Sequence, residues 1–323
     1  MPSDARLLLL DKHAVQRLLV PEDVVAAVRE AFELHSQRQG RVFPVVREAL
    51  SAGGVFGIKS GDVSGQGLLG LKAAGFWPSN RAVGGEPHQA TILLFDPATG
   101  RPLCVMDGNA ITTARTAAAG ALGLSLLARP DSAVVTVFGT GVQARAQLAA
   151  ALRALPLLKK ARYVSADRLP RSAFEAAFAG LCEVRSAPDA DEAVATSDVV
   201  ITATPGRGPL FDAASIRSGT HLNCVGADTR GKRELPPGAL QGARVVADDL
   251  AQAVQLGELQ WAPQTPAIEI GALLTGQTRL VRDRADITVF DLTGLALQDL
   301  TVARHIHRLA LGQGLGTPLA WPW

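Results

Sequence analysis

The segment VVTVFGTGVQARAQLAAAL, from Val134 to Leu152, constrains the fold more than any other part of the chain. A β-branched run leads into a glycine turn, which opens into an alanine-rich helix expected to begin near Val142. Gly139 permits a tight turn, Gly141 lets the backbone approach a pyrophosphate, and Ala144 keeps the helix close to its strand. The segment predicts a dinucleotide-binding turn with the phosphates at the helix N-terminus, although an ordinary strand-turn-helix can carry the same glycines.

Two later segments indicate that this turn belongs to a larger parallel sheet. SDVVITATP, from Ser197 to Pro205, resembles a buried strand that ends in a polar turn, and ARVVADD, from Ala243 to Asp249, repeats the pattern. Between about Ser132 and Phe290, strands alternate with helical segments of the length that βαβ crossovers need. We therefore predict an α/β fold with a doubly wound Rossmann domain over residues 126–299.

The rest of the chain predicts a second, mixed α+β domain. Residues up to about 125 combine an amphipathic helix, Pro21 to Arg38, with strands separated by glycine turns. The C-terminal stretch LTGLALQDLTVARHIHRLALGQGL has apolar residues at helical spacing, which predicts a helix of about 20 residues that returns to the first domain. Residues 1–125 plus 300–323 are thus expected to form one discontinuous domain.

Composition excludes several classes of protein. A chain of 323 residues with 47% hydrophobic content can bury a large core, and its 32 basic and 30 acidic side chains nearly cancel, so no general attraction for nucleic acid or anionic lipid is expected. Cys104, Cys182 and Cys224 lack metal-ligand spacing, which favours buried thiols in a reducing compartment and no metal site. We expect no apolar run to approach the roughly 18 to 20 residues of a membrane span, and hence a cytoplasmic protein without a membrane partner.

Four cations stand in apolar surroundings in the N-terminal domain: Arg47, Lys59, Lys72 and Arg115. Each could be salt-bridged or could reach solvent along its stem, but a buried unpaired charge is costly, and four together favour an anion pocket. Asp228, in HLNCVGADTRGKREL, is a comparable isolated acid just beyond a strand of the nucleotide domain. Cations from one domain, a carboxylate from the other and a nicotinamide between them predict hydride transfer to a carboxylate-bearing substrate.

Several motifs in order resemble the ornithine cyclodeaminase/mu-crystallin family: VVREAL, LGLKAAGFWPSN, LLFDPATGRPLCVMDGNAITTARTAAA, GTGVQARAQ, VGADTRGKREL and FDLTGLALQDL. The resemblance implies a homodimer with a substrate and dimerisation domain and a Rossmann domain. It also implies that Arg47, Lys72 and Arg115 bind the substrate carboxylate, with Lys72 beside the reacting carbon. Asp228 matches the catalytic carboxylate that exchanges a proton with the substrate nitrogen. The planar guanidinium fork suits carboxylates, which is an independent reason to accept the arginines.

Membership of the family leaves the reaction open, because members include cyclodeaminases, alanine dehydrogenases, ketimine reductases and a non-catalytic hormone-binding crystallin. Ornithine-type cyclodeaminases carry a glutamate on the strand ahead of the lysine strand, whereas the segment from Gly54 to Ser60 offers Lys59 instead. A cation there repels a distal ammonium and attracts a second carboxylate. The chain also resembles the iminosuccinate reductase branch, so we predict an NAD(P)H-dependent imino-acid reductase that converts iminosuccinate to aspartate. The alternatives are an ornithine cyclodeaminase, an alanine dehydrogenase-like enzyme and a non-catalytic binding protein similar to mu-crystallin.

The residues that contact the second carboxylate and the cofactor are less well defined. Lys59, with His88 or Gln89, would address the second carboxylate, provided that Lys59 does not point from the far face of its strand. His305 and His307 are expected to be structural or solvent-facing. The predicted cofactor contacts are Thr116, Gly139, Thr140, Gly141, Val142, Gln143, Ala144, Ser165, Asp167, Arg168, Thr202, Ala203, Thr204 and Gly226. Asp167 favours NAD, whereas Ser165 with Arg168 could accept the 2′-phosphate of NADP, and the choice stays open.

Overall fold

The computed structural model describes residues 5–321, which form two compact units. The first unit contains the chain up to Arg115 and from Leu295 onward, and the second contains Thr116–Gly294. The sequence had placed these boundaries at 125/126 and 299/300. The first boundary lies earlier in the structure, between Arg115 and Thr116. It falls inside a continuous helix, Gly108–Leu127, whose two ends belong to different units.

The secondary structure of the described residues follows the chain in this order. The strands are β1 (Arg6–Leu10), β2 (Arg41–Val42), β3 (Val46–Ala49), β4 (Val55–Val63), β5 (Leu68–Phe76), β6 (His88–Phe95), β7 (Pro102–Asp107), β8 (Val134–Phe138), β9 (Lys160–Val164), β10 (Glu183–Ser186), β11 (Val199–Thr202), β12 (His221–Cys224), β13 (Arg244–Ala247), β14 (Ala267–Glu269), β15 (Thr288–Asp291) and β16 (Thr317–Ala320). The α-helices are α1 (Lys12–Leu18), α2 (Pro21–Ser36), α3 (Gly108–Leu127), α4 (Val142–Ala154), α5 (Ser172–Ala176), α6 (Ala190–Ala195), α7 (Leu250–Leu256), α8 (Ile270–Leu274) and α9 (Ala296–Gln313).

The first unit is built on a mixed sheet. Its strands lie in the order β16-β1-β7-β6-β5-β4-β2, and β3 also pairs with β4. Among the described strand pairs of this sheet, β1–β7 is parallel and the others are antiparallel. The long hairpins of β4, β5 and β6 give this sheet a broad face.

Helices α2 and α9 pack together and complete the first unit. Helix α2 begins with Pro21 at its first position and carries Glu22 and Asp23 in its first turn, where acids interact favourably with the helix dipole. It ends at Ser36, two residues before the predicted Arg38, which adopts a positive φ of 59°. Helix α9 confirms the predicted C-terminal helix and packs on β4, β5 and β6.

The second unit is a parallel sheet in the order β10-β9-β8-β11-β12-β15-β13-β14. All of its described pairings are parallel, and β8, β11 and β12 are almost wholly buried, as the continuous apolar runs predicted. The order reverses between β8 and β11, which is the point where doubly wound sheets bind nucleotides. The predicted Rossmann fold is thereby confirmed.

Two expectations from composition need correction. Helix α3 is long and apolar enough to cross a membrane, although the sequence had suggested that no segment approaches this; its apolar window is 67% buried, as in the core helix of a globular protein. Cys104 and Cys224 are buried as expected, whereas Cys182 is partly exposed.

Candidate functional site

Strand register in the first unit determines where the predicted cations point. Lys59 on β4 lies directly opposite Lys72 on β5. Residues opposite each other in an antiparallel pair project from the same face, so Lys59 and Lys72 share one face of the sheet. Arg47 on β3 lies opposite Gly57, two residues before Lys59, and projects from that face as well. The register therefore excludes the alternative that Lys59 points from the far face.

Three small residues form the next row of this face. Gly57, Ala74 and Ala90 pair across β4, β5 and β6, one row beyond the two lysines. A β-carbon on Gly57 would lie 2.7 Å from the carbonyl oxygen of Val46, so no larger residue fits there. We call this row the small-residue floor. His88, opposite Phe76, begins the following row.

Helix α9 covers the other end of the same face. A β-carbon on Gly70 would lie 2.7 Å from Leu300 Cδ2, so the glycine permits a close approach of the helix. That approach brings the carboxylate of Asp299 to Lys72, with 2.7 Å between Nζ and Oδ2. Arg115, on α3, meets the other oxygen, with 3.1 Å between Nε and Oδ1. Its Nη1 also donates to the side-chain oxygen of Gln298 at 3.0 Å.

The cluster of Lys72, Arg115 and Asp299 is buried and carries an excess of positive charge. The three residues are 5%, 7% and 0% exposed, and while Lys72 is protonated two cations face one carboxylate, which leaves one net positive charge. Burial raises the pKa of Asp299, but the charges of Lys72 and Arg115 outweigh it and bring the pKa below its usual value. An uncompensated buried cation is costly, so the arrangement favours binding of an anion.

The pKa of Lys72 falls to about 7. Burial is the largest cause, and the negative charge of Asp299 opposes it. Arg115 and Lys59 lower the pKa further because like charges disfavour the protonated ammonium. Lys72 therefore changes charge near neutral pH, and an anion bound nearby would keep it protonated.

The glycine turn of the second unit has the geometry that a dinucleotide requires. Gly139 has a φ of +103°, and a β-carbon there would lie 2.6 Å from the carbonyl oxygen of Ala203. A β-carbon on Gly141 would meet no described atom within 4 Å, so the space above it is open. Helix α4 begins at Val142 without a cap from any described side chain, which leaves its first N–H groups available to phosphate oxygens. Ala144 is buried against the sheet.

Polar side chains of the loop after β9 form hydrogen bonds with other residues of the same loop. Ser165 Oγ lies 2.7 Å from the carbonyl oxygen of Leu169, and Arg171 Nη2 lies 2.5 Å from Asp167 Oδ2. This guanidinium, with the Leu169 N–H, lowers the pKa of Asp167 to about 2. Arg168 has a positive φ of 62°. It lines a cavity of about 550 Å³ at the carboxyl ends of β9, β10 and β11, which also contains Asp189, Asp191 and Asp212.

Asp228 follows β12 on a loop that a buried glutamate holds in place. Glu234 accepts hydrogen bonds from Thr204 N and Oγ1, both at 2.7 Å, and from Gly226 N at 2.9 Å. A β-carbon on Gly226 would lie 2.3 Å from the Glu234 carboxylate, so the glutamate occupies the space that only glycine leaves. The Asp228 carboxylate is 39% exposed and accepts from Thr229 Oγ1 at 3.1 Å, with Lys232 Nζ at 3.7 Å. It is thus accessible and near a cation.

Comparison with known proteins agrees with this geometry. The profile of the ornithine cyclodeaminase/mu-crystallin family matches residues 6–314.

The chain belongs to this family. It is 35% identical over 317 residues to the iminosuccinate reductase of Paracoccus denitrificans, covering 96% of this chain and 98% of that protein. An archaeal alanine dehydrogenase dimer with bound NAD superposes with a TM-score of 0.90 at 32% identity, covering 98% and 99% of the two chains. The Thermococcus litoralis Δ1-pyrroline-2-carboxylate reductase, in complex with NADH and L-proline, gives 0.90 at 28% identity over 96% and 99%.

Membership confirms the family recognised from the motifs and the predicted enzyme class. The protein is an NAD(P)-dependent oxidoreductase that acts on C–N and C=N bonds, an imine reductase in the broad sense. Its cofactor is a nicotinamide dinucleotide. The turn at Gly139 and Gly141 and the uncapped start of α4 fit the phosphates of that cofactor.

The structure brings some predicted residues together and places others apart. Lys59, Lys72 and Arg115 surround one region of the first unit, and Arg47 lies on the same face but is exposed. Within the second unit, the turn residues Gly139 to Ala144 and the strand ends Thr202, Ala203 and Thr204 lie at the carboxyl edge of neighbouring strands. Thr116 is buried in α3, where its carbonyl oxygen accepts from Gln147 Nε2 at 2.8 Å. Its contact with the cofactor stays a prediction.

Sequence reasoning missed the acids that organise both regions. The sequence predicts Asp299 and Gln298 as part of a helix and Glu234 as part of the motif GADTRGKREL, without a role for any of the three. A signal for Asp299 was present, since an isolated acid in LALQDL is as unusual in an apolar setting as the cations that were noticed. Gln89 was wrongly considered for the substrate side. It pairs with Gly75, one residue out of phase with His88, and is exposed on the other face.

A second buried acid, Glu258, supports the Glu234 loop. Its Oε1 accepts from the backbone N–H groups of Glu234 at 2.7 Å and Leu235 at 3.2 Å. Burial raises the pKa of Glu258 to about 7, and the neighbouring Glu234 carboxylate adds to the shift. Asp291 Oδ2 in turn accepts from Leu259 N at 2.9 Å. Three buried carboxyl groups thus hold consecutive backbone segments behind the Asp228 loop.

Replacing Glu258 with Gln should stabilise the protein above neutral pH. The folded-state pKa of about 7 exceeds the usual 4.5, so the free energy of unfolding decreases as pH rises through this window. Gln keeps the acceptor oxygen and removes the charge, so Glu258→Gln should gain about 1 to 3 kcal/mol near pH 8 and much less near pH 5. Urea unfolding at both pH values measures this, with the exposed Glu183→Gln as control. An equal change at both pH values would contradict the assignment.

Proposed function

We propose that the protein reduces iminosuccinate to L-aspartate with NADH. The observation that carries this proposal is the pairing of Lys59 with Lys72 on one face of the sheet, beside the buried Arg115 and Asp299. The carboxylate of Asp299 neutralises part of the positive charge of Lys59, Lys72 and Arg115. The positive charge that is left suits a substrate with two carboxylates. The similarity to the Paracoccus denitrificans iminosuccinate reductase supports the same substrate.

The cations bind different carboxylates of the substrate. Arg115 presents a planar fork, anchored by Asp299 and Gln298, that can bind the α-carboxylate through paired hydrogen bonds. Lys72 adds a buried charge to the same carboxylate, and Arg47 contributes from the exposed side of the face. Lys59 lies one strand away from Lys72 and addresses the second carboxylate. Gly57 and Ala74 of the small-residue floor carry no side chain that would obstruct the substrate carbons, whereas Gly108 lies against Ala90.

Asp228 carries out the proton transfer of the proposed reaction. A dinucleotide held at the turn of Gly139 and Gly141 would supply the hydride that the C=N carbon requires, and the nitrogen must gain a proton for the amine to form. Asp228, or a water molecule held by it, delivers that proton, since its carboxylate is accessible and lies beside Thr229 and Lys232. Glu234 sets the position of the loop through Gly226.

The loop after β9 favours NADH over NADPH. Ser165 bonds its own loop and Asp167 neutralises Arg171, so neither side chain is poised for a 2′-phosphate. Arg168 is the single cation of the adjoining cavity among the described residues, and three aspartates share that cavity with it. A phosphate carrying up to about two negative charges would be repelled there.

The test is an absorbance assay of NADH and NADPH oxidation with oxaloacetate, pyruvate, glyoxylate and cyclic imines, each with ammonia where the imine must form. We expect oxaloacetate plus ammonia to give L-aspartate, with NADH preferred, and L-ornithine to give no proline. Preference for pyruvate would indicate an alanine dehydrogenase activity instead. Proline from ornithine would indicate a cyclodeaminase, and nucleotide binding without turnover would indicate a binding protein.

Lys59→Glu should separate dicarboxylate from monocarboxylate substrates. Reversing this charge should lower kcat/KM for the imine of oxaloacetate by more than tenfold, about 1.4 kcal/mol, and spare the imine of pyruvate. Steady-state kinetics with both substrates measures the ratio. Ser60→Glu, on the adjacent position and the opposite face, is the matched control. Equal losses of kcat/KM for both substrates would show that Lys59 does not bind the second carboxylate.

We also infer that the enzyme works as a homodimer in the cytoplasm. The archaeal alanine dehydrogenase to which it is similar is a dimer. Light scattering of the purified protein tests the oligomeric state, and a single mass equal to one chain would contradict the inference.

A further inference from the structure

His88 lies on the same face of the first unit's sheet as Lys59 and Lys72. It begins β6, pairs with Phe76, and lies two rows from Lys72 on the same face. The small-residue floor separates these rows. A substrate lying on the floor between Lys72 and His88 would therefore present its two ends to different titratable groups.

Hydrogen bonds define which nitrogen of His88 carries the proton. The side-chain nitrogen of Asn109 donates to Glu86 Oε2 at 2.9 Å and to the His88 carbonyl oxygen at 3.1 Å, and both partners can only accept. The side-chain oxygen of Asn109 therefore faces His88 Nδ1 at 2.9 Å and must accept a hydrogen bond from it. Neutral His88 is thus protonated at Nδ1, which leaves Nε2 with a lone pair.

An ion pair anchors this arrangement at the surface. Glu86 also pairs with Lys12, so the chain Lys12–Glu86–Asn109–His88 runs from exposed groups to the half-buried ring. Asn109 cannot turn its amide over without placing its oxygen against two acceptors. The tautomer of His88 is consequently held by groups outside the substrate face.

The charges around His88 keep its ring neutral in the free enzyme. Burial lowers the pKa of His88, and the cationic Lys72 and Arg115 lower it further. Asn109 and Asp299 oppose this shift without reversing it. The charged or titratable groups on the neighbouring elements include Lys12, Lys59, Lys72, Arg81, Glu86, Asp107, Arg115 and Asp299.

We propose that His88 is a specificity-determining residue that binds the second carboxylate of the substrate together with Lys59, by taking up a proton at Nε2. This inference deepens the proposed function and rests on it. A carboxylate within about 4 to 6 Å favours the charged form of a histidine and raises its pKa, which opposes the lowering by burial and by Lys72 and Arg115. The proton comes from solvent, because Nδ1–H stays bonded to Asn109. A monocarboxylate lacks the group that would induce this uptake.

Proton uptake can be measured without turnover. The complex of enzyme, NADH and L-aspartate cannot react, because both ligands are reduced, and the same holds for L-alanine. Calorimetric titration with each amino acid at pH 7.5, in buffers of low and high ionisation enthalpy, gives the number of protons bound. Lys72 can take up a proton with either ligand, so the difference between L-aspartate and L-alanine reports on His88. We expect L-aspartate to bind with more proton uptake than L-alanine, by up to about one proton per site, because Nε2 is the one ring position of His88 that can gain a proton.

Two variants assign this difference to the histidine. His88→Asn should abolish the difference and weaken L-aspartate at least tenfold while leaving L-alanine unchanged. Gln89→Asn, on the next residue and the opposite face, should leave the proton count as in the wild type.

Each outcome bears on a separate claim. Equal proton counts for the two ligands in the wild type, or an unchanged difference in His88→Asn, would overturn the role of His88 and leave the dicarboxylate substrate intact. Binding of L-alanine without any binding of L-aspartate would overturn the proposed function together with the inference.

Discussion

Asp228→Asn is expected to slow imine reduction by roughly 10² to 10⁴-fold, the range for loss of a positioned acid or base. The amide has nearly the same shape and can keep the contact with Thr229 Oγ1, but it has no exchangeable carboxyl proton. The loss should appear in kcat, because the substrate carboxylates are bound by cations elsewhere in the chain. Steady-state rates from pH 6 to 9 measure the effect, and NADH fluorescence titration shows whether the dinucleotide still binds.

Glu234→Gln provides a comparison for this variant. Gln keeps one acceptor oxygen where the carboxylate serves both Thr204 and Gly226, so the loop that carries Asp228 should loosen without losing the acid. We expect a smaller loss of rate together with weaker NADH binding. If Asp228→Asn kept its full rate with folded, NADH-bound protein, another group would have to deliver the proton and the mechanism would be wrong.

The nucleotide unit could be predicted in outline because its signals are local. The glycines of GTGVQA, the buried strand before them and the helix after them are adjacent in sequence, and the structure reproduces them at β8 and α4. Parallel strands require crossovers, so the alternation of strands and helices also predicted the sheet. The reversal between β8 and β11 is a consequence of this topology.

The substrate face could be predicted only in part, because it depends on pairing. The side-chain period of 2 shows that residues alternate between faces but cannot show which face is buried or which strand is opposite. Lys59 became informative only once β4 was placed against β5 with Lys72 as its partner. Asp299 comes from the far end of the chain, and no local pattern connects it with Lys72 or Arg115.

Arg115→Ala is expected to lower kcat/KM by about 10²-fold or more, because it removes a charge-assisted fork from the substrate carboxylate. The hydrogen bonds of Arg115 that the structure describes are made to Asp299 and Gln298, so titration with NADH should change little. Arg115→Lys is the matched control, since it keeps the charge and loses the fork. Near-wild-type kcat/KM in Arg115→Ala would show that the arginine has only a structural role.

The pH profile of Arg115→Ala distinguishes a binding role from a structural one. In the wild type, kcat/KM should decrease as pH rises through about 7, where Lys72 loses its proton. The charge of Arg115 helps to lower that pKa, so its removal should raise the pKa of Lys72 and leave Asp299 paired with Lys72 alone. The alkaline limb should therefore move to higher pH while the maximum falls. A lower maximum with an unmoved limb would mean that Arg115 and Lys72 do not share one electrostatic environment in the working enzyme, contrary to the buried cluster around Asp299.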